Sequence, residues 1–157
     1  MLKLIPFISI FIMSFANLAN SQFLQEENLI IDLRNNIEWY RCSVGQTWDP
    51  KNTVCNGEPV KFSQSDVQIA LTQAKDQLGG KWRLPTLDEL ESIICEDCEP
   101  PKVIQKYFSN VSREAYWTGS KNRWNSKMYW SVNFQTGYTY SRFFGYQTLP
   151  ILIVRGR

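Results

Sequence analysis

The chain has 157 residues, with 17 Lys/Arg, 15 Asp/Glu and no histidine, for a formal net charge of +2. The missing imidazole excludes Ser-His-Asp and Cys-His catalysis, His-based zinc ligation and imidazole proton shuttling. The near-neutral total hides an electrical division: residues 22–101 carry seven cations against fourteen acids, and residues 102–157 carry nine against one, Glu114.

Met1, Leu2 and Lys3 precede an apolar run from Leu4 to Ala16, and Ala19-Asn20-Ser21 places small residues where signal peptidase reads. Residues 1–21 are therefore expected to be a secretory signal, leaving 22–157 as a single domain. The run is shorter than the roughly 20 residues of a spanning helix, and nothing after it is apolar enough to cross a bilayer. Secretion, the periplasm or the cell surface is the implied destination, and in such compartments four cysteines default to two disulfides. Three pairings are possible; the local one, Cys42 with Cys55 and Cys95 with Cys98, is favoured.

Gln22 to Glu27 reads as a loose start, followed by a hairpin of Leu29–Arg34 and Ile37–Arg41 around Asn35-Asn36. Cys42 to Gly57 has loop composition, with Trp48 its one large anchor. Ser65 is placed to cap a helix from Asp66 to Leu78 whose apolar face is Val67, Ala70, Leu71, Ala74 and Leu78, and Gly79-Gly80 ends it. In Trp82-Arg83-Leu84-Pro85-Thr86, Pro85 biases Leu84 to an extended conformation, and Thr86 with Glu89 forms a capping box. The second helix is expected to reach about Cys95 and to bury Leu87, Leu90, Ile93 and Ile94. Pro100-Pro101 break the chain, and Val103 to Phe108 suits a helical turn. Strands follow at Tyr116–Thr118, Met128–Phe134 and Tyr138–Phe144, the last two joined through Gln135-Thr136-Gly137, and Pro150–Val154 reads as a central strand because both of its faces are apolar. Trp117 and Trp130 are expected in the core. The order of hairpin, two helices and antiparallel sheet is α+β.

The cysteines offer a four-thiolate zinc site or a thiol redox pair at Cys95-x-x-Cys98, but an oxidising compartment favours disulfides. Glu96, Asp97 and Glu99 also disfavour thiolate. Asp88, Glu89 and Glu91 form no EF-hand loop, and no metal or cofactor is expected. The segment from Lys121 to Lys127 sets Lys121, Arg123 and Lys127 around Trp124, so a sugar ring can stack on the indole while the cations meet sulfate or carboxylate. Arg142, Phe143, Phe144 and Tyr146 form a second basic-aromatic cluster. The ligand-binding candidates are thus Lys121, Arg123, Trp124, Lys127, Arg142 and Tyr146. The competing reading is a solubilising loop on a fold whose two halves neutralise each other.

Arg41-Cys42, Gly45-Gln46, Trp48, Cys55 and Gly57, then Trp82–Thr86 with Glu89-Leu90, Tyr116-Trp117 with Ser120, Trp130-Val132-Phe134 with Gly137, and Val154-Arg155 together resemble the C-terminal domain family of Legionella collagen-like proteins. The resemblance spans nearly all of the chain after the signal. It implies a surface-exposed binding module with sulfated glycosaminoglycans as the ligand class, although a collagen region is absent here. The Arg-Leu-Pro-Thr helix and the terminal Arg also resemble the sulfatase-modifying-factor domain, which implies a C-type-lectin-like fold. The sequence therefore leads us to expect a non-enzymatic, exported module that recognises a glycan or other surface polymer in adhesion and does not bind nucleic acid. A protein-interaction or assembly module of an envelope or appendage, and a thiol oxidoreductase using Cys95 and Cys98, are the alternatives.

Overall fold

A computed structural model describes residues 22–157, so the expected signal peptide lies outside the described residues. Asp32 opens the fold. Its buried carboxylate accepts the N–H groups of Arg34 and Asn35 and the Asn35 and Gln22 amides, which turns the chain between β2, Leu29–Asp32, and β3, Ile37–Tyr40. This is the expected hairpin. The stretch before it is not loose, because β1, Phe23–Glu26, pairs antiparallel with β2. The anchor of β1 is Phe23, which packs on Tyr107 and Phe108, so its order comes from residues more than eighty positions away.

The expected loop from Cys42 to Gly57 contains a further hairpin, β4, Thr47–Asp49, with β5, Val54–Asn56. Asp49 closes its turn by accepting the N–H groups of Lys51 and Asn52. The Cys42–Cys55 disulfide ties it to the end of β3, and the Arg41 guanidinium lies 3.7 Å from the centre of the Trp48 ring. After β6, Lys61–Phe62, comes α1, Val67–Leu78, which buries Val67, Ala70 and Ala74 and ends at Gly79. Ser65 does not cap it. Ser63 starts the helix instead: its carbonyl accepts the N–H groups of Asp66 and Val67, and its hydroxyl donates to Asp66.

The second helix, α2, is only Leu87–Glu91, shorter than expected. Beyond Ser92 the backbone is taken over by the segment after Pro100-Pro101: Ile94 bridges Val103, and the Ile104 N–H donates to Ile93. Leu90 and Ile93 are nevertheless fully buried. β7, Ala115–Lys121, β8, Met128–Asn133, and β9, Tyr138–Phe144, form a three-stranded antiparallel sheet. The apolar C-terminal stretch is not one central strand. Its first part is β10, Leu149–Pro150, paired with β6, and its last is β11, Val154–Gly156, at the end of the sheet ordered β1-β2-β3-β11. Its two apolar faces have a different origin: Leu152 and Val154 join one core with Trp39, Leu90 and Phe134, while Ile151 and Ile153 join another with Val67, Trp82 and Trp117. The described residues are thus mainly β, with antiparallel sheets, two short helices and two disulfides, Cys42–Cys55 and Cys95–Cys98.

Residues 83–89 join the two larger sheets. Arg83 exchanges both backbone hydrogen bonds with Val154, while the Pro85 carbonyl accepts from Gly119 and the Leu87 N–H donates to the Ser120 hydroxyl on β7. The Thr86 hydroxyl accepts the Glu89 N–H, and Glu89 Oε2 accepts the Thr86 N–H at 2.7 Å, completing the capping box. The same carboxylate receives both terminal nitrogens of Arg83, each at 2.7 Å. Burial alone would raise the Glu89 pKa, but the Arg83 guanidinium and the Thr86 N–H outweigh it and hold the carboxyl below its ordinary value.

Because that pKa is depressed in the folded state, the stability Glu89 contributes is present above the ordinary carboxyl range and is lost as pH falls through the folded value. Glu89→Gln should cost about 1–2 kcal/mol at neutral pH, and the gap between variant and parent should close in acid. Urea titrations across pH test this, and a pH-independent gap would refute it. Replacing Cys42 and Cys55 by Ser should cost about 3 kcal/mol, against about 2 kcal/mol for Cys95 and Cys98, because the first pair closes the longer loop; thermal melts of the two double variants give the comparison.

Candidate functional site

The loop between β7 and β8 is built on Asn122, which is 9% exposed. Its side-chain oxygen accepts the N–H groups of Trp124 and Asn125 at 2.8 and 3.2 Å, and its amide nitrogen donates to the Ser141 carbonyl at 2.9 Å. The backbone N–H of Asn122 donates to Met128, so the loop is closed at its base. This asparagine is not among the sequence-stated site residues. An Asn two residues before an exposed Trp is the local signal for such a turn.

The Trp124 indole that this turn presents is 88% exposed. It lines an open groove with Lys121, Arg123, Trp130 and Ser120, whose far wall is Thr86–Asp88 at the start of α2. The groove depends on an irregularity in β7: between Trp117 and Lys121 that strand runs two residues longer than its partner, and Gly119 and Ser120 in the excess stretch receive the 85–87 segment. Trp117 is fully buried as expected. Trp130 is not a core residue but is half-buried beside the groove, because strand alternation puts it on the face of β8 opposite Tyr129, whose ring packs on Trp117.

The structure divides the remaining candidates. Lys127 and Tyr146 face a second groove with Gln64, Ser65, Tyr129 and Phe144, where Tyr146 stacks on Phe144 at 5.5 Å. Arg142 is exposed on β9 and lines neither groove, while its neighbour Phe143 packs into the core beside Trp117. Among the described residues, Arg123, Lys127 and Arg142 have no ion-pair partner, and Lys121 lies 5.7 Å from the centre of the Tyr129 ring. Two bridges cross the electrical division, and only Glu38 with Arg155 joins an excess acid of the first half to an excess base of the second; Lys61 with Glu114 pairs the minority charges of the two halves. The groove also contains Asp88. Together with burial, which dominates, Asp88 raises the pKa of Glu91. A face with two indoles, two cations, two hydroxyls and a single carboxylate can stack on a ring, meet an anionic substituent and accept hydrogen bonds from hydroxyls.

Cys95 and Cys98 are joined, and the Lys102 ammonium is committed to the carbonyls of Glu96 and Cys98. Among the described residues, no three His, Cys, Asp or Glu side chains converge to hold a metal ion. No helix among them is long and apolar enough to cross a membrane. Gln46, fully bonded to Ser43, Gly57 and Asn110, holds the disulfide hairpin to the body. A family model described as the Lcl C-terminal domain matches residues 28–155. No curated protein matches the chain.

Asn122→Ala removes three hydrogen bonds at the base of the loop. It should lower stability by about 1–3 kcal/mol and raise the hydrogen-exchange rates of the Trp124 and Asn125 amides well above those of the β7–β8 ladder. Unchanged exchange at those two amides would show that Asn122 does not hold the loop.

Proposed function

We propose, from the premise that this chain belongs to the Lcl C-terminal domain family, that it is an exported, non-enzymatic module that binds glycans through the groove beside Trp124. The observation that carries this reading is the most exposed indole among the described residues, held on a pinned loop next to Arg123, a cation without an ion-pair partner among them. Exposing a Trp to water has no stabilising value for the fold, and fixing it there restricts its motion; a ring-stacking partner accounts for both. Lys121 and Arg123 select a sulfated or carboxylated sugar. Asp88 favours a ligand that still carries free hydroxyls over one with anionic groups at every position. Antiparallel sheets, two short helices and a disulfide framework support a C-type-lectin-like fold for the domain. The two disulfides, with the residue pattern at 1–21, support secretion and display at the cell surface.

Binding is measured on the oxidised protein with sulfated, carboxylated and neutral polysaccharides at low and at physiological salt. Affinity for the anionic chains should fall as salt rises, and Arg123→Ala with Trp124→Ala should weaken binding by roughly thirtyfold or more while leaving the melting temperature nearly unchanged. Equal binding by the double variant would sink the site. A protein partner captured without sugar dependence would favour an assembly role.

A further inference from the structure

A third concavity, about 380 Å³, lies away from the loop, between α1 and the chain that leaves β3. The half-buried Tyr40 and Phe62 line it, and its helical wall carries Ala70 and Ala74 one turn apart, where larger side chains would fill the space. Gln73 and Gln77, also one turn apart, stand at the rim on the same helix, exposed and without a side-chain hydrogen bond among the described residues. No lining residue is charged at neutral pH, in a chain whose composition is 20% Asp, Glu, Lys and Arg. Tyr40 is the single ionisable residue of the lining, and burial, only partly offset by a bond to the Trp48 backbone, pushes its phenol up and keeps it neutral.

Backbone groups of the wall formed by residues 43–47 are largely committed within the fold. The Val44 N–H donates to Ile151, its carbonyl accepts from Val60, the Gln46 N–H donates to Ser43, and Thr47 is paired with Asn56 in the small hairpin. An extended peptide recognised through its main chain would compete with these bonds for the same groups. What the cleft offers instead is two aromatic residues in its lining and two exposed carboxamides on α1, each able to donate and accept at once. That combination matches the apolar face of a sugar ring and pairs of neighbouring hydroxyls. We infer that the cleft between α1 and residues 40–47 is a second carbohydrate site, specific for an uncharged sugar unit and separate from the anionic-glycan groove beside Trp124.

The test follows backbone and side-chain amide shifts of the 15N-labelled, oxidised protein titrated with cellobiose, maltose and N,N′-diacetylchitobiose. Expected are saturable shifts at Gly45, Thr47 and the Gln73 and Gln77 side chains for at least one disaccharide, with the same affinity at low and physiological salt. Gln73→Ala with Gln77→Ala, on an exposed helix face, should weaken this binding about tenfold. Ala74→Leu, which fills the hollow, should abolish it. The Arg123→Ala/Trp124→Ala protein should bind the disaccharide as the parent does, so failure of one site is distinguishable from failure of the other. Absence of saturable shifts with all three disaccharides, shifts confined to the Trp124 loop, or an affinity that falls with salt would each overturn the assignment.

Discussion

The fold depends on how one carboxylate divides its oxygens. Glu89 closes the first turn of α2 through the Thr86 N–H and at the same time takes both terminal nitrogens of Arg83. Those two partners sit at opposite ends of the segment that connects the sheets: Arg83 is paired through its backbone with Val154, and Leu87, just past Thr86, is bonded to Ser120. A charge-assisted pair of this kind is stronger and more directional than a neutral hydrogen bond. It sets the distance between β11 and β7, and with it the packing of Leu90 and Ile93 against the core below. The Trp124 groove inherits the constraint, because its far wall is the same helix start.

The electrical division along the chain is resolved unevenly in space. Glu38 with Arg155 brings an acid of the first half and a base of the second together between β3 and β11, where partly buried charges need partners. The loop from Lys121 to Lys127 is left outside this cancellation and stays well hydrated, so its cations cost the fold little. Arg41 is the opposite case. It is 1% exposed, its pKa is lowered by burial, and its guanidinium is accommodated by the Glu27 carbonyl and the Trp48 ring instead of a carboxylate. Together with Cys42, Gln46 and Cys55, it makes the 41–57 region a stapled support for the wall of the neutral cleft.

Both proposed sites are therefore by-products of supports that also serve stability: the anionic groove rests on the 83–89 brace and the Asn122 turn, the neutral cleft on the disulfide hairpin and α1. Separate supports allow the two to be altered independently, and their different linings would give them different selectivity. A chain with two unlike sugar sites would hold a mixed polymer by both its charged and its uncharged units, gaining affinity through linkage without a large contact area at either site.

By itself the sequence determined the elements whose causes lie within a few residues: the capping box of Thr86 and Glu89, the β2–β3 and β8–β9 turns, and the apolar face of α1 with its glycine stop; among three possible cysteine pairings it favoured the local one that is found. It also carried enough spaced residues to indicate the family. Tertiary structure alone decided that Phe23 would order a first strand, that Ile93 and Ile94 would leave the helix, and that the last apolar stretch would be shared between two cores. It also separated Lys127 and Tyr146 from the Trp124 groove, moved Trp130 to the edge of that groove, and hollowed the neutral cleft from residues between 40 and 153. The difference is one of range: turns and caps are closed by backbone groups next to each other in the chain, whereas burial, register shifts and clefts depend on partners that only folding brings together.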